Sequence, residues 1–316
     1  MISGSVRGSV ALPLAIVGLL GNLFVILVIG VKRKLHTMHF FLLANLSLSD
    51  FLFHVILFFN AINFISVNWL FGTPWCQGTS YLLRCFLVTT LLLLCAVTWE
   101  CHTAVVRTPY QFSSEITVKK VAVVLILWVA SFLFAVLSIN LAGRSITYND
   151  KTLECELNSK SPDKSKAVLL ISTTLVIIIP FGLIGKQQYQ IRRVVKQQIT
   201  QIIQQQRCIQ ANNLEGQHVH QQEFMKNVKE SKDAFVIVVS FLVSYLPMFV
   251  MAGLRARLGE SDAMYNALFL ANLLVQAGAT WNPVIYCFRK RQFRRQCYQL
   301  VCKKIFEVGS SQVSPQ

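Results

Sequence analysis

The sequence predicts an all-α membrane protein: a bundle of seven transmembrane helices followed by a short amphipathic helix on the C-terminal side. Three observations carry this. The chain is 54% hydrophobic and only 14% charged, with a mean hydropathy of +0.52 over 316 residues, whereas a soluble domain carries about 25% charged residues. Seven apolar stretches, 9–31, 39–66, 75–99, 121–142, 167–185, 234–254 and 263–288, match the about 20 helical residues that a hydrocarbon core demands. The basic residues alternate in density between the connecting segments: of 30 Lys and Arg, 21 fall on one side, eight on the other, and Arg84 lies within a span.

Basic segments stay in the cytoplasm, so the N-terminus is expected outside and the C-terminus inside, in the plasma membrane. The formal net charge of +16 is then a topology signal. Its expected partners are membrane lipids with anionic headgroups, and nucleic acid is excluded as a reading. The first apolar run starts near Ser9 and has the length of a span, so a signal anchor is expected rather than a cleaved leader.

Each span carries its own signature. The first has Gly21-Asn22 and the second Leu46-Ser47-Leu48-Ser49-Asp50; Cys76 opens the third and Trp128 lies in the fourth. Pro180 and Pro247 sit well inside the fifth and sixth, and the seventh holds Asn282-Pro283-Val284-Ile285-Tyr286. The outer segment 143–166 reads as a polar loop. The inner segment 186–232 contains ten Gln between Gln197 and Gln222; its start continues the fifth helix inward and its middle is expected to be mobile. The run Phe288-Arg289-Lys290-Arg291-Gln292-Phe293-Arg294-Arg295 reads as an amphipathic helix, with Phe288 and Phe293 dipping into the membrane interface. The expected division is a membrane domain over 1–288, a surface helix over 289–302 and a cytoplasmic tail over 303–316. No internal repeat is visible, which disfavours a transporter, and no metal cluster, catalytic triad or phosphate loop supports an enzyme.

This order of signatures resembles rhodopsin-like (class A) G-protein-coupled receptors from Gly21 to the basic helix. The resemblance implies a receptor that passes an extracellular signal to an intracellular heterotrimeric G protein. It also implies a role for Asp50, since a bare carboxylate inside a membrane is costly and needs a cation, a proton or polar neighbours. In the family, Asp50, Thr90 and Asn282, with Asn22 nearby, would hold a sodium ion; a water-filled polar knot is the other reading, and Gly278 stands where the family places a polar residue. Pro247 implies the hinge of activation, with Tyr245 in the place of the usual Trp and Pro283 and Tyr286 completing the seventh-helix motif. Cys76 and Cys155 match the family's disulfide between the third helix and the outer loop. Cys297 and Cys302 follow the basic helix, a context that suits palmitoylation; free thiols are the alternative.

The resemblance places a ligand pocket among Asn60 and Asn63 of the second helix, Leu83, Arg84 and Leu87 of the third, and Ser172 and Thr173 of the fifth. Tyr245, Met248 and Phe249 of the sixth and Asn272 and Gln276 of the seventh complete it. Leu83 replaces the carboxylate that binds amines, so a small polar molecule or short peptide is expected instead. Gln276 replaces the retinal-linking Lys, so no retinal is expected and no cofactor beyond the sodium ion. Arg84 has two readings: contact with an acidic ligand group, or pairing with Glu154 or Glu156. The clearest departure is at the inner end of the third helix, where an acid, Arg and an aromatic are usual and this chain has Glu100-Cys101-His102. Gln188 stands in the place of the fifth helix's inner Tyr, and Asn227 in that of the sixth helix's acid. Coupling is therefore expected to be atypical. The alternative is a scaffold, heteromer partner or ligand sink that does not couple.

Overall fold

The first helix displays the pattern of a chain built for lipid. The computed structural model describes all residues except 1, 67–68, 108–114, 142, 151, 160–167, 169–170, 173, 210–214, 260 and 301–316. Helix α1 (Gly4–Val31) buries Gly8, Ala11, Ala15, Gly18, Asn22, Val25 and Ile29, a stripe of small residues at spacings of three and four. Its opposite face exposes Val10, Ile16, Val17, Leu20 and Leu27. Small and polar groups inside with large apolar groups outside is the inverse of a soluble helix and the mark of a membrane one. Helix α4 (Val118–Leu141) repeats it: Ser131, Ala135 and Ser138 are buried while Leu125, Ile126, Phe132, Leu133 and Leu137 are exposed.

The remaining helices are α2 (Met38–Ser66), α3 (Gly72–His102), α5 (Ile179–Ile209), α6 (Glu215–Leu258) and α7 (Asp262–Arg289), with a last helix, α8, over 291–300. Wider turns of π type, Thr103–Arg107 and Thr174–Ile178, extend α3 and precede α5. Six helices among the described residues are long and apolar enough to cross a membrane. The fifth expected span, 167–185, falls partly outside the described residues. Ser261 starts α7, its Oγ accepting from the Met264 N–H at 3.2 Å, a side-chain cap for an otherwise orphaned donor.

Two expectations change, and a third, the mobile middle of the inner segment, falls at 210–214, outside the described residues. The outer segment is a two-stranded hairpin, β1 (Arg144–Asn149) with β2 (Glu154–Ser159), its turn closed by Leu153 N–H on Asn149 O at 2.8 Å. Leu153 takes φ of 57°, a left-handed conformation rare outside Gly and Asn. The Gln-rich segment is helical through Ile209 and again from Glu215, because Gln is a good helix former and Lys186–Ile209 holds neither Pro nor Gly. Phe293 is 1% exposed and points into the protein rather than the interface, while Phe288, 76% exposed, is free to dip.

The chain divides into two compact units, Met1–Leu70 with Asn149–Glu154 and Phe241–Gln316, and Phe71–Tyr148 with Cys155–Ser240. In the first, α1 packs on α2 and α7. Their approach depends on glycine: a Cβ on Gly18 would meet the His54 ring, and one on Gly8 would lie 2.9 Å from the Ala61 carbonyl oxygen. At the inner end Lys290 Nζ donates to His39 Nε2 at 2.7 Å and Gln292 Nε2 to Lys34 O at 2.7 Å, fastening the start of α8. In the second unit α3 packs on α4 and α5, with Cys76 and Cys155 joined in the expected disulfide.

Candidate functional sites

The first site is a polar knot in the unit of α1, α2 and α7. Asp50 is 3% exposed, and Asn282 Nδ2 donates to its Oδ2 at 2.6 Å. Asn22 Nδ2 donates to Gly18 O at 2.9 Å in its own helix and to Ala279 O of α7 at 3.3 Å. Its Oδ1 is buried with no protein partner, so an acceptor is left over. Tyr286, 1% exposed, lies beside Ser47. Where Gly278 lacks a side chain, the Ser244 hydroxyl of α6 occupies the space a Cβ would take, so a polar atom is supplied from the neighbouring helix.

His54 belongs to this knot and was not expected there. Its Nδ1–H donates to Asp50 O at 2.6 Å, and its Nε2 lies 3.0 Å from Thr280 Oγ1. Because a carbonyl can only accept, a neutral His54 carries its proton on Nδ1 and leaves Nε2 an acceptor. The single hydroxyl proton of Thr280 is then shared between that nitrogen and Gln276 O at 2.8 Å. The sequence signal was there: His54 is one turn after Asp50, on the same helix face.

Asp50, Ser47 and Asn22 offer hard oxygen donors, and the orphaned Asn22 Oδ1 is an acceptor that a cation or water would satisfy. The donor set therefore fits a small hard cation such as sodium. Thr90 is buried on α3 and belongs to the other unit.

Of the expected pocket residues in the first unit, Gln276 is 3% exposed and its Nε2 donates to Ala11 O of α1 at 2.9 Å. Asn63 is buried and its Nδ2 donates to Leu153 O at 2.9 Å. Tyr245 stacks on Phe241 with centroids 4.0 Å apart and stands 6.4 Å from Phe249, an aromatic ladder leading into Pro247, through which α6 continues. Met248, Phe249, Asn60 and Asn272 are half-buried. In the second unit Leu83, Arg84 and Leu87 are half-buried on α3 and Ser172 is buried; Thr173 lies outside the described residues, as does Cys302. Cys297 is half-buried, its thiol pushed up from the ordinary value by the neighbouring Cys287 sulfur and by burial.

The second site is the inner end of α3. His102 Nε2–H donates to Gln190 Oε1 of α5 at 2.8 Å, and its ring stacks on Trp99 at 5.9 Å, over which Arg107 sits at 4.4 Å. Cys101 is 3% exposed and faces inward. Glu100 Oε1, His102 Nδ1, Gln188 Nε2 and Asn227 Nδ2 are buried without a hydrogen-bond partner in the protein. Tyr189 is 67% exposed, so it does not turn in to replace the Tyr absent at Gln188.

Residues 21–286 match the model of the 7 transmembrane receptor (rhodopsin family). The chain belongs to this family. It is 26% identical to the rat trace amine-associated receptor 9 over 95% of this chain and 88% of that one. It is 23% identical to the human histamine H2 receptor over 95% and 80%. The fold is that of squid rhodopsin, with a TM-score of 0.80, 20% identity, and coverage of 95% of this chain and 86% of the other. This rhodopsin-family chain is thus a multi-pass, all-α membrane protein, a seven-transmembrane bundle with a C-terminal amphipathic helix, and a receptor rather than an enzyme.

Proposed function

We propose that this chain is a plasma-membrane receptor for a small polar molecule or short peptide, with its N-terminus outside, whose output to a heterotrimeric G protein is weak. The observation that carries the reading is the inner end of α3. Where the family presents Arg to the G protein, this chain buries Cys101, between a Glu100 without that cation and a His102 already engaged by Gln190. Cysteine has neither the charge nor the reach to replace a guanidinium fork. Arg107, Arg192 and Arg193 supply a basic inner surface that supports a residual contact.

On the ligand side, the relatives named for trace amines and histamine bind ligands that carry a cation. This chain offers Leu83 where an amine's carboxylate partner would stand, and Arg84 next to it, which favours an acidic or neutral polar group. Asn60, Asn63, Leu87, Ser172, Thr173, Tyr245, Met248, Phe249, Asn272 and Gln276 are the proposed lining. A sodium ion would be held by Asp50 with Asn22 and the hydroxyls around them, and would supply the counter-charge that this carboxylate needs. No retinal is proposed, since the Gln276 amide cannot form an imine and donates to Ala11 O. Cys297 and Cys302 are the proposed acylation sites.

The buried Cys101 also supports a second reading, a ligand sink or heteromer partner that binds without signalling. A ligand screen on cells carrying the chain, read both by surface binding and by a promiscuous G protein, separates the two. Binding with small but ligand-dependent signalling supports the receptor; binding with none at all supports the sink; ion flux in proteoliposomes would overturn both.

A further inference from the structure

Arg7 is placed one turn into α1 and is 2% exposed. Its Nη1–H donates to Thr152 O, in the hairpin turn, at 3.2 Å. Its guanidinium lies over the Phe269 ring of α7 at 5.1 Å from the centroid, and Phe64 meets the same ring edge-on at 6.0 Å. That arrangement uses one corner of the guanidinium and one face. The remaining donors, Nε and Nη2, are buried with no hydrogen-bond partner in the protein. Those two N–H groups lie along the same side of the guanidinium plane and form the side-on fork that matches the two oxygens of a carboxylate or phosphate.

A buried cation with an unused fork is expensive, because desolvated N–H groups without acceptors cost more than the bonds around them return. Water is not the natural remedy, since one oxygen cannot meet both donors as well as an oxyanion does. Two carbonyls of the hairpin hold described groups here: Thr152 O caps Arg7 Nη1, and Leu153 O takes the Asn63 amide at 2.9 Å.

We propose that Arg7, capped on Nη1 by Thr152 O and bare on Nε and Nη2, is an extracellular oxyanion site that takes the carboxylate or phosphate group of a small molecule or lipid headgroup. Its extracellular placement rests on the proposed topology, and its test is independent of G-protein output: the site is read by stability and hydrogen exchange, signalling by nucleotide exchange, so each can fail alone.

The test uses the full chain in phosphatidylcholine nanodiscs with inorganic phosphate and butyrate as probes and chloride as the control at equal ionic strength. Phosphate or butyrate should raise Tm in a saturable way and chloride should not. Arg7→Lys, which keeps the charge and loses the fork, should weaken the apparent affinity about tenfold, while Arg291→Gln, at an exposed arginine of α8, should leave it unchanged. If the source is a headgroup, phosphatidic acid nanodiscs alone raise Tm and added phosphate adds nothing. Should the Arg7 variants fail to fold, hydrogen exchange on the unaltered receptor reads the site directly: amide exchange at Thr152 and Leu153 changes with phosphate, butyrate or phosphatidic acid and not with chloride. No shift with phosphate, butyrate or phosphatidic acid, an equal shift with chloride, undiminished affinity in Arg7→Lys, or exchange at Thr152 and Leu153 unchanged by all three oxyanions overturns the proposal.

Discussion

The knot around Asp50 and the inner end of α3 are both buried polar clusters in a protein whose outer faces are apolar, and they differ in how many bonds tie one helix to the next. In the knot, side chains are tied across neighbouring helices, Asn22 to the Ala279 carbonyl, Gln276 to the Ala11 carbonyl and Asn282 to the Asp50 carboxylate, with Asn22 Oδ1, Ser47 Oγ and Tyr286 OH left over. At the inner end of α3, one bond joins His102 to Gln190, and donors or acceptors on Glu100, Gln188 and Asn227 are left without protein partners. A cluster matched across several helices holds them together. One with fewer such bonds is either open to a partner or relieved of the task its relatives perform. The difference locates where this chain keeps the family's structure and where it departs from the family's chemistry.

The largest expected effect sharpens the matched side. Gly18→Val drives a branched side chain into the His54 ring and should lower stability by about 3 kcal/mol, read as a fall in Tm and surface expression. Retention of the parent Tm would mean that α1 and α2 are not held at this point. Asn22→Leu removes two bonds and strands the Ala279 carbonyl, and should cost about 1–2 kcal/mol by the same measurement. At the inner end of α3, Gln190→Leu should change stability by less than about 1 kcal/mol, read as a small shift in Tm, since neighbouring polar atoms already lack partners there; a loss equal to that of Asn22→Leu would erase the contrast. The smallest effect concerns the cation. Replacing choline by sodium at constant ionic strength should raise Tm by a degree or two as an ion binds only the folded state, and Asp50→Asn should abolish the rise. An equal rise in that variant would leave the knot without a cation.

Much of this was legible in the sequence. The span positions follow from apolar length, and the knot from polar residues that have no reason to be in a membrane except one another. The inner end of α3 was legible because Cys101 lacks what its neighbours would need. Other features turned on spatial pairs. His54 reads as one more aromatic in α2 until Gly18 of α1 is seen to leave room for its ring. Arg7 counts as an outer basic residue until Thr152 and Phe269 enclose it. The hairpin escaped because its strands are six residues each and Leu153 adopts a backbone that leucine does not advertise. Phe293 was misread because one face of a basic helix suits a membrane and a protein surface equally well.

The claim that binds these parts is that Cys101 has cost the receptor most of its coupling while the bundle is intact. Nucleotide exchange on a purified G protein, comparing the parent with Cys101→Arg at matched surface expression, tests it most directly. The account predicts a several-fold gain in exchange for the variant, with unchanged Tm. A parent that already drives exchange as fast as Cys101→Arg would contradict it.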